Sequence, residues 1–99
     1  MAKKTKLSET GTSFHGVVIV TTANKLMSLF PKSYTLENDG RDKVNIDFVL
    51  ETENGDVFTI YDWKEYRPID LDEEIEFHIG AFSPEISDTA QKELLELLK

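Results

Sequence analysis

The chain has 99 residues, 39% hydrophobic and 30% charged, a balance that suits one soluble globular domain with a single core and excludes a disordered chain. Eleven Lys and Arg against nineteen Asp and Glu leave a net charge of −8, so the surface repels a phosphate backbone and direct binding of duplex nucleic acid is not expected. The absence of cysteine excludes disulfides, thiolate catalysis and zinc–thiolate sites, and no apolar run approaches the roughly 20 residues that cross a bilayer.

Residues 1–13 carry Lys3, Lys4 and Lys6, then Ser8, Thr10, Gly11, Thr12 and Ser13, and read as a flexible basic arm ahead of a single domain over 14–99. The arm has no apolar stretch behind it, unlike a secretory signal, and the expected setting is the cytoplasm. FHGVVIVT (14–21) is rich in β-branched residues and apolar on both faces toward its end, which predicts a central strand. Thr21 or Thr22 can cap a short helix with Leu26, Leu29 and Phe30 on one side, and Pro31 stops it. PKSYTLENDGRD (31–42) is a long polar connection with a turn signal at Asn38-Asp39-Gly40.

KVNIDFVLET and VFTIYDWK then flank Asn54-Gly55, the strongest short-range hairpin signal. With those two residues as the loop, Phe48 faces Tyr61, Ile46 faces Trp63 and Leu50 faces Thr59 on a core side that also holds Val44. The other side pairs Val49 with Ile60, Asn45 with Lys64 and Asp47 with Asp62. Two carboxylates directly opposite are destabilising. Either Lys64 lies diagonally across Asp47 and relieves them, or a ligand or cation does, or the register differs.

PIDLDE (68–73) is an acidic loop. From Glu74 to Phe82 the pattern alternates, with Ile75, Phe77, Ile79 and Ala81 pointing one way and Glu74, Glu76, His78 and Gly80 the other, as in a half-buried strand. Ser83-Pro84-Glu85 is a helix start, with a capping oxygen, proline in the first turn and an acid near the positive end of the dipole. Ile86, Ala90, Leu94 and Leu97 or Leu98 recur at helical spacing after it. The order β-α-β-β-β-α predicts an α+β domain, a mainly antiparallel four-stranded sheet with two helices on one face.

Enzyme motifs are mostly absent: no Gly-rich phosphate loop, no His-Glu-x-x-His, no EF-hand loop and no Gly-x-Ser-x-Gly. No catalytic activity, metal or cofactor is therefore expected. His15 and His78 are the best remaining candidates for proton transfer or metal binding, and an enzyme using both is a minor third reading. They sit in similar settings, Phe14-His15-Gly16 and Phe77-His78-Ile79-Gly80, and would approach one another on neighbouring strands. Two ligands are fewer than the three protein groups of typical catalytic zinc sites, and histidines satisfied by strand neighbours are the commoner outcome.

The densest chemistry is YDWKEYR (61–67), where the only tryptophan stands among two tyrosines, a lysine and an arginine. Strand parity sends Tyr61 and Trp63 toward the core and leaves Tyr66 and Arg67 exposed beyond the strand end. Two binding readings follow. A pocket of Tyr61, Trp63, Lys64, Tyr66, Arg67 and His78 would stack a planar group and pair with phosphate, as a phosphorylated nucleotide requires. Alternatively, the acidic surface of Asp70, Asp72, Glu73, Glu74 and Glu76 would dock on a basic protein, in competition with nucleic acid. A homo-oligomer is expected in either case, because a small domain gains a larger pocket at a shared interface.

VFTIYDWKEYR, followed by IEFHIGAFS and an acidic amphipathic C-terminal helix, resembles small proteins encoded by tailed phages, over roughly residues 43 to 98. The resemblance implies a short phage accessory protein acting in the host cytoplasm, of the sort that neutralises a host system by gripping a host protein or sequestering a small signalling nucleotide. It carries no catalytic residues across.

Overall fold

The computed structural model describes residues 2–5, 11–37, 44–63 and 65–99. In chain order its elements are β1 (Lys3–Lys4), β2 (Ser13–Thr21), α1 (Ala23–Leu29), β3 (Tyr34–Leu36), β4 (Ile46–Glu51), β5 (Val57–Tyr61), β6 (Ile75–Ala81) and α2 (Pro84–Leu97). In space β4, β5, β6 and β2 lie in that order, each antiparallel to its neighbour. Both β1 and β3 pair with the outer side of β4, one beside Leu50 and Glu51 and the other beside Ile46 to Phe48. The α+β class and antiparallel sheet are as expected, with two short strands more.

Capping chemistry sets the helix starts. The Thr22 hydroxyl accepts the Lys25 amide at the head of α1, and the Ser83 hydroxyl accepts the Ile86 amide at the head of α2, with Pro84 and Glu85 in its first turn. Ala23 and Leu26 of α1 and Ala90 and Leu94 of α2 join one core with Phe48, Phe58, Phe77 and Ile79. Both helices therefore cover the same face, and each fully buried large side chain contributes roughly 1.5–3 kcal/mol by leaving water. No helix among the described residues is long and apolar enough to cross a membrane.

Three expectations need correction. The first concerns β2, which is an edge strand rather than a central one. Its apolar run arises because Ile19 enters the core while Val20, on the opposite face, stays exposed. The second concerns the N-terminal arm: Lys3 and Lys4 extend the sheet and Ala2 is buried, while residues 6–10 lie outside the described residues. The expected turn at Asn38-Asp39-Gly40 also lies outside them.

The third is the hairpin register. The observed pairs are Asp47 with Tyr61, Phe48 with Ile60, Val49 with Thr59 and Leu50 with Phe58, one residue away from the expected ones. The loop has three residues rather than two. Thr52 closes it by donating its amide to the Asp56 carbonyl at 2.9 Å, and its hydroxyl accepts the Asp56 amide at 3.2 Å. Gly55 has the expected positive φ, +87°, and donates to the Thr52 carbonyl. A three-residue loop needs a left-handed residue there just as a type I′ turn does, so the glycine fits both. Gly55→Val is expected to cost about 1 kcal/mol or more, because a β-branched residue fits positive φ poorly; chemical denaturation measures it.

Candidate functional site

A shift of one residue moves every side chain of a strand to the other face. Here it takes Tyr61 out of the core and places it on the sheet face away from the helices. On that face Tyr61 stands across from His78, and His78 across from Val18, so side chains of β5, β6 and β2 meet in a row.

The row is aromatic. Phe14 stacks on His78 with centroids 4.1 Å apart and planes 14° from parallel. Tyr61 meets His78 edge-on at 5.6 Å and Trp63 edge-on at 5.9 Å, while Trp63 lies 6.2 Å from His78 at a tilt of 30°. Such offset and edge-to-face arrangements are the favourable ones for ring quadrupoles. The two outer members remain open to solvent, Phe14 at 42% and Trp63 at 40% exposure. Burial pushes the His78 imidazole below its ordinary pKa against the opposing pull of Glu76, so the ring is uncharged at neutral pH.

Phe14 reaches this row because β2 is irregular. Between Phe14, opposite Gly80, and Val18, opposite His78, three residues of β2 face one of β6. His15 lies in that bulge, with Nε2 3.0 Å from the Ala81 carbonyl oxygen and 3.3 Å from the Ser13 hydroxyl. The two histidines thus lie on neighbouring strands but serve different neighbours. No group of three or more His, Asp or Glu side chains among the described residues is placed to hold a metal ion.

Beside Tyr61 the open face sinks into a groove of about 520 Å³ that crosses the sheet from β2 to β3. Thr12 and Ser13 form one wall, Thr35 and Glu37 the other, and Asp47, Thr59, Tyr61 and Gly80 line it between them. Gly80 is required for close approach: a Cβ there would stand 2.7 Å from the Thr59 hydroxyl and 3.5 Å from the Tyr61 ring. No described Lys or Arg lines this groove.

Asp62 does not face Asp47. It turns inward, fully buried, and ends β5 by accepting the Asn45 amide at 2.8 Å, the Ile46 amide at 3.0 Å and the Asn45 side-chain amide at 3.0 Å. The carboxylate repulsion expected from the sequence is therefore absent. Asn45 Nδ2 also donates to the Arg67 carbonyl at 2.9 Å, which ties the end of the YDWKEYR segment to its beginning.

Of the expected ligand residues, Tyr61, Trp63 and His78 come together. Tyr66 and Arg67 do not join them. Tyr66 is exposed on the following loop with a φ of +51°, a conformation uncommon for a bulky residue. Arg67 donates to Glu73 Oε1 at 2.7 Å and stands 3.7 Å from Glu65. That pairing holds the Glu73 carboxyl below the usual range and the guanidinium above it. Lys64 lies outside the described residues.

The acidic loop is also partly committed. Asp70 Oδ1 accepts the Asp72 amide at 2.9 Å, Asp72 Oδ1 accepts the Asn24 side-chain amide at 2.6 Å, and Glu73 accepts the Asp70 amide as well as Arg67. Glu74 and Glu76 are exposed.

Sequence reasoning missed Phe14 and the groove hydroxyls. Phe14 opens a run read as a central strand, where an aromatic counts as core. Thr12, Ser13, Thr35 and Thr59 are scattered through the chain and converge only through strand order. Comparison with known proteins finds no matching family model, curated protein or solved structure.

Proposed function

We propose that this chain is a non-catalytic binding protein that captures a small nucleotide-type ligand on the open face of its sheet. The row Phe14–His78–Tyr61–Trp63 carries the reading. Two of its rings are left half in water although the same chain buries Phe48, Phe58 and Phe77 completely. An exposed aromatic ring offers a face on which a base stacks, at about 1–3 kcal/mol per base.

Charge refines the expected ligand. Arg67, which was to meet a phosphate, is already engaged by Glu73 and Glu65, so a phosphate would have to displace a carboxylate to use it. The ring-bearing part of the ligand therefore supplies more of the contact than its phosphate. In the phage setting implied by the sequence resemblance, the protein would hold a host signalling nucleotide out of circulation in the host cytoplasm, as a homo-oligomer whose copies enlarge the site.

One observation favours a second reading, docking on a basic host protein. Glu74 and Glu76 are exposed, and Glu76 lies directly across from the exposed Val20 at the sheet edge.

Trp63 is the only tryptophan, so its emission reports on the row directly. A nucleotide panel is expected to contain members that quench it, and Trp63→Ala is expected to weaken their binding roughly tenfold to a hundredfold by calorimetry. If no nucleotide changes the emission, and Glu74→Lys with Glu76→Lys instead abolishes capture of a basic host protein, the second reading replaces the first.

A further inference from the structure

The row of rings meets the groove at Tyr61, which belongs to both. A planar group on the rings would thus present whatever is attached to it to the groove. The groove walls supply hydroxyls from Thr12, Ser13, Thr35 and Thr59, each able to donate and accept, and carboxylates from Glu37 and Asp47.

We infer that the groove seats the sugar of a nucleoside-type ligand whose base lies on the rings, and that no phosphate enters it. This inference rests on the binding reading above and narrows its ligand class. Sugar hydroxyls both donate and accept, so they match a wall of hydroxyls and find acceptors in the two carboxylates. A phosphate is anionic and only accepts hydrogen bonds, and here it would meet the carboxylates of Glu37 and Asp47 in a groove lined by no described Lys or Arg. Size agrees, since about 520 Å³ falls within the roughly 300–1,000 Å³ of small-ligand sites. Burial raises the Tyr61 phenol above its ordinary pKa, so it remains a hydroxyl donor at neutral pH. The bare backbone at Gly80 keeps the space between Thr59 and Tyr61 from being filled by a side chain.

The test uses the whole chain and three probe sets: the common nucleosides, their free bases and their 5′-monophosphates, each followed by calorimetry and Trp63 emission. At least one nucleoside is expected to bind tenfold or more tightly than its free base, with the monophosphate no tighter than the nucleoside at low salt. Thr59→Val and Gly80→Ala are expected to lower nucleoside affinity toward that of the base. Thr35→Val serves as the independent groove variant if Gly80→Ala fails to fold. Equal affinity of base and nucleoside would overturn the sugar site while leaving the ring platform standing. A monophosphate that binds tightest would overturn the exclusion of phosphate. Silence of Trp63 toward every probe would remove the platform reading and this inference with it.

Discussion

Asp62→Ala is expected to lower the thermal midpoint by roughly 12–24 °C, read by calorimetry or circular dichroism. The carboxylate is fully buried and receives two backbone amides and the Asn45 side-chain amide. Alanine leaves those donors without this acceptor in a place where water does not reach. Each orphaned donor costs about 1–3 kcal/mol, and because neighbouring losses are not additive the total is set at about 3 kcal/mol. Conversion at 4–8 °C per kcal/mol, typical of domains near this size, gives the stated shift. Asp62→Asn keeps an oxygen acceptor but adds two donors, so its midpoint should fall between those of the native chain and the alanine variant. A change of only a few degrees in Asp62→Ala would mean that the amides find other partners and that Asp62 does not end the strand as described.

Phe48→Ala is expected to cost about 3–5 kcal/mol, measured by urea unfolding, which approaches the whole stability of many domains this small. Phe48 has no exposed surface, pairs with Ile60 on one side and Tyr34 on the other, and holds the Tyr34 ring at 5.5 Å. Its loss opens a cavity under β4 and removes the contact that anchors β3. Hydrogen exchange should therefore accelerate first at the amides of Tyr34 to Leu36. Phe48→Leu, which retains much of the volume, should cost far less. Equal losses in the two variants would show that aromatic contact with Tyr34, rather than cavity formation, dominates.

Much of this architecture is legible in the chain itself, for identifiable reasons. The strand over 75–81 announces itself because its alternation matches one wet and one dry face, and both helices begin at hydroxyl caps that the sequence displays. The 54–55 turn is equally visible, yet its register is not. Asn-Gly is compatible with a loop of two residues or three, and the parity of VFTIYD does not decide between them. Choosing the observed register requires a carboxylate, Asp62, in line with Ile46 and inside the protein. Its cost is offset by Asn45 and Ile46, whose convergence is tertiary. From that one slip followed the misplacement of Tyr61 and of the ring row. β1 and β3 carry no readable signal because two and three residues are too few to show a period. Arg67 suggested phosphate since its closer acidic partner, Glu73, stands six positions downstream and beyond a proline.

The two hydrogen bonds that Asn45 Nδ2 donates, one to Asp62 Oδ2 and one to the Arg67 carbonyl, act as a clasp on the segment between those two residues. A clasped loop has already surrendered part of the freedom that a contact surface ordinarily loses when it meets its ligand. Trp63 stands just inside the closed end, next to a residue held by a side chain buried well away from solvent. Affinity at the surface is then governed in part from the interior. A change at Asn45 that leaves the fold intact would loosen the segment, and the weakening would come from order lost in the free protein rather than from any contact removed.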